Sequence, residues 1–142
     1  RKIRTGEAQK DTTGTAGSGG QKLKEFKRDL CLAGGEYINK DCDRITVHVQ
    51  SGTRWSDPEM VPVTCASGGN MTPQTGADDD ALTTRSGGAG RVVLVTACYD
   101  WEMPIYFPMV NKILMRPADG VALASGGSLI QSVATFRTEP YE

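Results

Sequence analysis

The chain has 142 residues, of which 16 are basic and 17 acidic, so its formal net charge at pH 7 is −1. This balance argues against nucleic acid as a partner and against a disordered acidic tail, because both depend on an excess of one charge. Hydrophobic residues make up 38% and glycine occurs 17 times, which predicts one modest domain with a large share of loops.

The first 20 residues are predicted to be the end of a helix followed by a linker. Residues 1–10 contain several helix formers, with Ile3 as the only large apolar side chain, and residues 11–20 are rich in Gly, Thr and Ser. No signal peptide or transmembrane run is recognisable, and we expect the chain to start downstream of a removed segment. Residues 21–142 are then expected to form a single globular domain.

An amphipathic helix is predicted over residues 21–32. Leu23, Phe26 and Leu30 recur at helical spacing, while Lys and Glu occupy the other side. The glycine pair Gly34-Gly35 is typical of a helix C-terminus and is expected to end it.

The next regular element is a half-buried strand over residues 44–50. Three aliphatic residues alternate there with three polar ones, in the order Ile45, Thr46, Val47, His48, Val49 and Gln50. His48 is the only histidine of the chain and falls on the polar side. We therefore expect it to be a solvated strand residue rather than a catalyst, because no motif places a nucleophile or an acid beside it.

The four cysteines favour disulfide bonds over a zinc site, because zinc sites use Cys and His at short paired spacings. A bond between Cys31 and Cys42 would close a short loop between the predicted helix and strand. Cys65 and Cys98 form the second candidate pair, although Cys98 could instead be a buried free thiol. Disulfide bonds would indicate an oxidising compartment.

A long connection over residues 51–90 is rich in Gly, Ser, Thr, Asp and Pro. Loops of this length are usually functional or disordered. Trp55 and Cys65 are its candidate anchors, and residues 60–63 are a candidate edge strand. The acidic run at residues 78–80 lacks the alternating spacing of a calcium loop, and the glycine-rich stretch after it lacks the ending of a phosphate loop. We therefore predict no metal ion and no cofactor.

The longest apolar run in the chain, residues 92–99, predicts the centre of the sheet. It is β-branched and almost uncharged, as expected of a strand buried on both faces, and it is far too short to span a bilayer. Pro104 and Pro108 then force the chain out of the ladder. A helix is predicted over residues 105–115 and a last strand over residues 126–137.

These elements predict an α+β fold. An N-terminal helical part is expected beside a small, mainly antiparallel sheet of three to five strands, with a helix packed on it. Large apolar residues in the long loop and at or after the end of the central strand are candidates for contact with a partner, although Tyr99, Trp101, Tyr106 and Phe107 could instead be core residues. The candidates are Trp55, Tyr99, Trp101, Tyr106, Phe107 and Met109.

Three stretches resemble the TadE family of pilin-like proteins from tight-adherence, Flp-type pilus systems. The first is residues 1–9, and the second runs from Cys31 to Val49, with a helix ending in Cys, a second Cys and an alternating strand. The third runs from Val92 to Tyr141. It includes the Tyr99-Asp-Trp101 element, a Gly-Gly pair and the ending Phe136-Arg-Thr-Glu-Pro-Tyr141. The family commonly has Asn where Thr138 stands, and the loop over residues 51–90 is not covered.

The resemblance implies a minor pilin or pseudopilin of a bacterium, contributing to the assembly, priming or tip of a thin filament and so to surface adhesion. Its partners would be other pilin or pseudopilin subunits. A helix upstream of Arg1 would anchor it in the inner membrane, with the domain in the periplasm and later outside the cell.

An alternative is a secreted adhesin or carbohydrate-binding module that uses Trp55 and the long loop. An enzyme is not predicted, because the sequence has a single histidine, no nucleophile elbow and no metal-ligand cluster. No small-molecule substrate is predicted either.

Overall fold

The computed structural model describes residues 22–35, 42–74, 76, 90–102, 109 and 123–138. It confirms the α+β class, with one helix, one short 3-10 turn and five strands in these ranges. The elements are α1 (Leu23–Ala33), the 3-10 turn (Cys42–Arg44), β1 (Ile45–Gly52), β2 (Ala66–Ser67), β3 (Asn70–Met71), β4 (Val92–Trp101) and β5 (Ser128–Arg137). The helices predicted within residues 1–10 and 105–115 lie outside the described residues, apart from Met109.

The main sheet has three antiparallel strands in the order β1-β4-β5. The prediction that the longest apolar run forms the central strand is confirmed. On one side Ile45 pairs with Tyr99 and Gly52 pairs with Val92; on the other, every residue of β4 pairs with one of β5. Eight of the ten residues of β4 are buried, because a strand between two others has both faces covered.

The helix α1 forms where the sequence predicts it. At its start the Glu25 carboxylate accepts a hydrogen bond from the Lys22 backbone N–H, 3.2 Å away. At its end the backbone of Gly35 has a φ of 77°, a left-handed conformation that glycine adopts without steric cost. Leu23 and Cys31 are fully buried, and Phe26 packs beside them.

The hydrophobic core lies between α1 and one face of the main sheet, here called the helix face. It joins two helix residues to alternate residues of β1 and β4, which all point to that side. Its buried members are Leu23, Cys31, Ile45, Val47, Val49, Val93, Val95 and Tyr99.

The opposite face of the sheet, here called the loop face, is attached to the segment of residues 53–74. Cys65 in this segment is bonded to Cys98 of β4, and the amide of Gln131 on β5 donates to the backbone oxygen of Val63, 3.2 Å away. The long connection therefore covers part of the sheet, although most of its described part has no regular structure.

Two expectations about this loop are wrong. Residues 60–63 form no strand; a two-stranded hairpin of β2 and β3 follows instead. Its turn consists of Gly68 and Gly69, both with positive φ (59° and 83°), as short hairpin turns require. Trp55 is not an anchor either, because 60% of its surface is exposed; Cys65, only 1% exposed, is the residue that fixes the loop.

The expectation that His48 is solvated is also wrong, since only 1% of its surface is exposed. It lies on the loop face, where it pairs across the strands with Thr96, which is equally buried. The alternation of β1 was predicted correctly. The polar side of the strand is buried because it faces a covered surface and not solvent.

Candidate functional site

An open apolar groove of about 300 Å³ lies on the helix face of the sheet, near the end of β4. Its floor follows two cross-strand rows, one formed by Ile45, Tyr99 and Ile130 and the other by Ala97 and Ser132. Leu30 of α1 and Trp101 at the end of β4 also line it. Such a groove can accept an apolar side chain, because both it and the guest would lose contact with water.

Three charged residues connect two strands at this end of the sheet. The guanidinium of Arg44 contacts the carboxylate of Asp100, with 2.8 Å between Nη2 and Oδ2, and it also pairs with Glu102. Asp100 is only 8% exposed, so this ion pair is largely removed from water. Arg44 precedes β1 and Asp100 lies on β4, and their pairing therefore ties the two strands together beside Trp101.

The predicted contact residues do not all belong to the groove. Tyr99 belongs to the buried core and also lines the groove, and Trp101, which lines it as well, is half-buried. Trp55 follows β1 at the end of the sheet where Gly52 pairs with Val92, whereas Trp101 lies at the other end. Met109 is 81% exposed, and Tyr106 and Phe107 lie outside the described residues.

The groove also includes residues that no sequence pattern marks as contacts. Leu30, Ile45 and Ile130 were assigned only to the predicted helix and strands. The sequence gives only a weak signal that these residues meet in a groove. They come together because the strands lie in the order β1-β4-β5, and strand order does not follow from one sequence.

Both candidate disulfide bonds are present. Cys31 is joined to Cys42 with 5.7 Å between their Cα atoms, and Cys65 to Cys98 with 5.6 Å. The first ties α1 to the turn before β1, and the second ties the long loop to the central strand. The alternative that Cys98 is a free thiol is thereby excluded.

His48 is the one residue in the described ranges whose burial clearly shifts its acid–base behaviour. Burial lowers the pKa of its imidazole below the usual 6.5, because the charged form loses hydration in the covered layer between the sheet and the loop. On the same face it is flanked along β1 by Thr46 and Gln50. This polar layer lies on the opposite face from the groove.

The described residues contain neither a cluster of metal ligands nor a membrane-spanning helix. Across residues 22–35, 42–74, 90–102 and 123–138, no three or more His, Cys, Asp or Glu side chains are grouped so that they could hold a metal ion. None of the helices in the described part of the chain is long and apolar enough to cross a membrane.

Comparison with known proteins gives no assignment. No protein-family model, no curated protein and no solved structure matches the chain.

Proposed function

We propose that this chain is the globular domain of a minor pilin or pseudopilin of a tight-adherence type pilus. The observation that carries the proposal is the resemblance of three ordered stretches to the TadE family, above all the stretch from Cys31 to Val49. In that stretch a helix ends near one cysteine and an alternating strand follows a second. The bond between Cys31 and Cys42 supports it, because it joins the helix covalently to the turn that leads directly into the strand.

The disulfide bonds support a place outside the cytoplasm. All four cysteines are used in two bonds, and such bonds persist in oxidising compartments such as the periplasm. Of the cysteines, Cys31, Cys65 and Cys98 are 1% exposed or less. They are therefore integral to the core, as expected of a domain that must stay folded outside the cell.

The surface supports a role in binding other proteins rather than in catalysis. The apolar groove beside Trp101 and the exposed Trp55 are two separate places where a neighbouring subunit could contact the domain. Aromatic residues contribute much of the binding energy at protein interfaces. We assign these places to lateral contacts within the filament, while a helix upstream of Arg1 packs with the helices of other subunits.

The first experiment is to determine the coding sequence upstream of Arg1 and the N-terminus of the mature protein in its source bacterium. The proposal requires a hydrophobic helix preceded by a prepilin-peptidase cleavage site. Deleting the gene should then reduce the filaments seen by electron microscopy, and the intact gene should restore them. A cleavable signal peptide with a small-residue site, followed directly by this domain, would overturn the proposal.

A secreted adhesin or carbohydrate-binding module is the second candidate, and the exposure of Trp55 favours it. An indole with 60% of its surface in water can stack on a sugar ring. Binding of the purified domain to a panel of glycans, lost in a Trp55→Ala variant that folds normally, would support this candidate. Normal filaments in the deletion strain would point the same way.

A further inference from the structure

Among the described residues the strand β5 forms one edge of the main sheet. In the described part of the chain it pairs with β4 alone, and the pairing runs without a bulge from Ser128 opposite Trp101 to Arg137 opposite Val92. The side chains of residues 130–135 are all exposed, including Ile130 (46%) and Val133 (43%). The edge of this strand that points away from β4 therefore presents backbone donors and acceptors, and exposed apolar side chains lie beside them.

This edge lacks the features that usually prevent strands from pairing between molecules. Natural edge strands are commonly short, bulged, or interrupted by Lys or Pro. The strand β5 has ten residues, and from Ser128 to Phe136 its sequence contains no charged residue, proline or glycine. An uncharged, regular edge of this length is suited to adding a further strand by backbone hydrogen bonds.

We propose that β5 pairs antiparallel with β5 of a second copy of this chain. The two three-stranded sheets would join across a two-fold axis into one continuous sheet of six strands. An axis perpendicular to the sheet leaves both α1 helices on the same side. Residues that face each other across the axis must then belong to the same face of the sheet.

The side chains of β5 select the register of this pairing. An axis through Val133 places it opposite the partner subunit's Val133 on the loop face, and places Ile130 opposite the partner subunit's Phe136 on the helix face. Both exposed large apolar residues of β5 then meet apolar neighbours. An axis through Ser132 would instead place Val133 opposite a glutamine and Ile130 opposite an alanine.

Charge is compatible with the register centred on Val133. Arg137 is the only charged residue of β5, and it would face the partner subunit's Leu129. Its guanidinium already donates to the backbone oxygen of Gly90, 3.0 Å away, and so it is held at the end of its own strand. No pair of like charges faces each other across the axis.

The groove lies at the same edge of the sheet as the proposed pairing. Ile130 and Ser132 of β5 line it, so the groove reaches the free edge of the sheet. In the proposed register the partner subunit's Phe136 lies directly across from Ile130 on the same face. The second copy would therefore add a wall at the open side of the groove. This inference does not depend on the proposed function.

Sedimentation velocity over a wide range of protein concentration tests the proposal. We expect a reversible dimer, and we expect Val133→Lys to weaken it by about tenfold or more, because two ammonium groups would face each other at the axis. Thr135→Lys is the matched control, since residue 135 has the same strand, face and exposure class. The two lysines at 135 would lie about 13 Å apart along the strands, beyond the range of strong repulsion at physiological salt.

Cysteine cross-linking keeps the test decisive if Val133→Lys folds poorly. The native cysteines are all bonded, so Val133→Cys adds the only free thiol. Under mild oxidation we expect it to form a covalent dimer much faster than Thr135→Cys does. A monomer at every concentration, a dimer equally stable in both lysine variants, or equal cross-linking at 133 and 135 would overturn the proposal.

Discussion

Gly127 lies so close to Asp100 that a side chain at this glycine would overlap the carboxylate. A β-carbon built there meets Oδ1 of Asp100 and comes within 2.9 Å of the backbone oxygen of Trp101. The carboxylate has little freedom to move, because its other oxygen is bound to Arg44 at 2.8 Å. The glycine thus lets the chain enter β5 directly beside the ion pair that joins β1 to β4.

We expect Gly127→Ala to lower the free energy of unfolding by about 2–3 kcal/mol, as in other overpacked sites. Gly34→Ala is the matched control, because Gly34 is exposed and has a helical φ of −73°, where the change should cost less than about 0.5 kcal/mol. Urea unfolding of the two variants measures both values. Equal stability of the two would mean that Asp100 moves aside without cost.

Removing the Cys65–Cys98 bond should cost more stability than removing the Cys31–Cys42 bond. The two bonds close loops with sequence separations of 33 and 11 residues, and the chain-entropy relation gives about 3.7 and about 2.8 kcal/mol. Replacing each pair by alanine and comparing the urea midpoints tests the order. The reverse order would show that the loss is governed by packing around Cys31, and not by the entropy of the unfolded chain.

The main sheet and α1 were predictable because their patterns are local. An apolar run of eight residues, an alternating strand and a helical repeat of Leu23, Phe26 and Leu30 each identify one element without reference to the others. The even number of cysteines favoured disulfide bonds and pointed to Cys31–Cys42, but it left open whether Cys98 pairs with Cys65 or is a free thiol. The strand order and the groove were not predictable, because they depend on how separate elements meet.

The burial of His48 shows why a correct pattern led to a wrong environment. The alternation of β1 predicts which side chains share a face, and it leaves open whether that face is covered. A signal did exist, because Cys98 points to the loop face and its bond to Cys65 brings the loop over that face. The pair Gly68-Gly69 was a usable signal for the hairpin of β2 and β3, since paired glycines favour short hairpin turns.

Trp55 and Tyr99 should respond differently to truncation. Trp55→Ala should change the free energy of unfolding by less than about 0.5 kcal/mol, because the indole is mostly in water. Tyr99→Ala should cost about 3 kcal/mol or more, because Tyr99 is part of the buried core cluster. Thermal and urea unfolding of each variant measure this difference.

The same pair of variants is informative about the proposed filament contacts. A loss of filaments with Trp55→Ala at normal stability would place a subunit contact at Trp55, whereas a loss with Tyr99→Ala alone would reflect misfolding. Normal filaments with a stable Trp55→Ala protein would remove Trp55 from the set of proposed contacts.

The burial of His48 predicts a loss of stability as the pH falls below about 6.5. In the unfolded chain the imidazole takes up a proton near its ordinary pKa, whereas burial lowers the pKa in the folded protein. Between the two pKa values the unfolded state binds more protons, so the free energy of unfolding decreases as the pH falls. One such group contributes a slope of at most about 1.4 kcal/mol per pH unit.

Urea unfolding at several pH values measures this slope. The useful range is roughly pH 7.5 to 5, because histidine titrates there and the carboxylates mostly do not. His48→Gln is the control. Glutamine keeps a polar side chain in the layer beside Thr96 but cannot be protonated, so its curve should be flatter over the same window. Because His48 is the only histidine, an NMR titration of its ring protons gives its pKa directly. A pKa at or above 6.5, or parallel curves for the two proteins, would contradict the prediction.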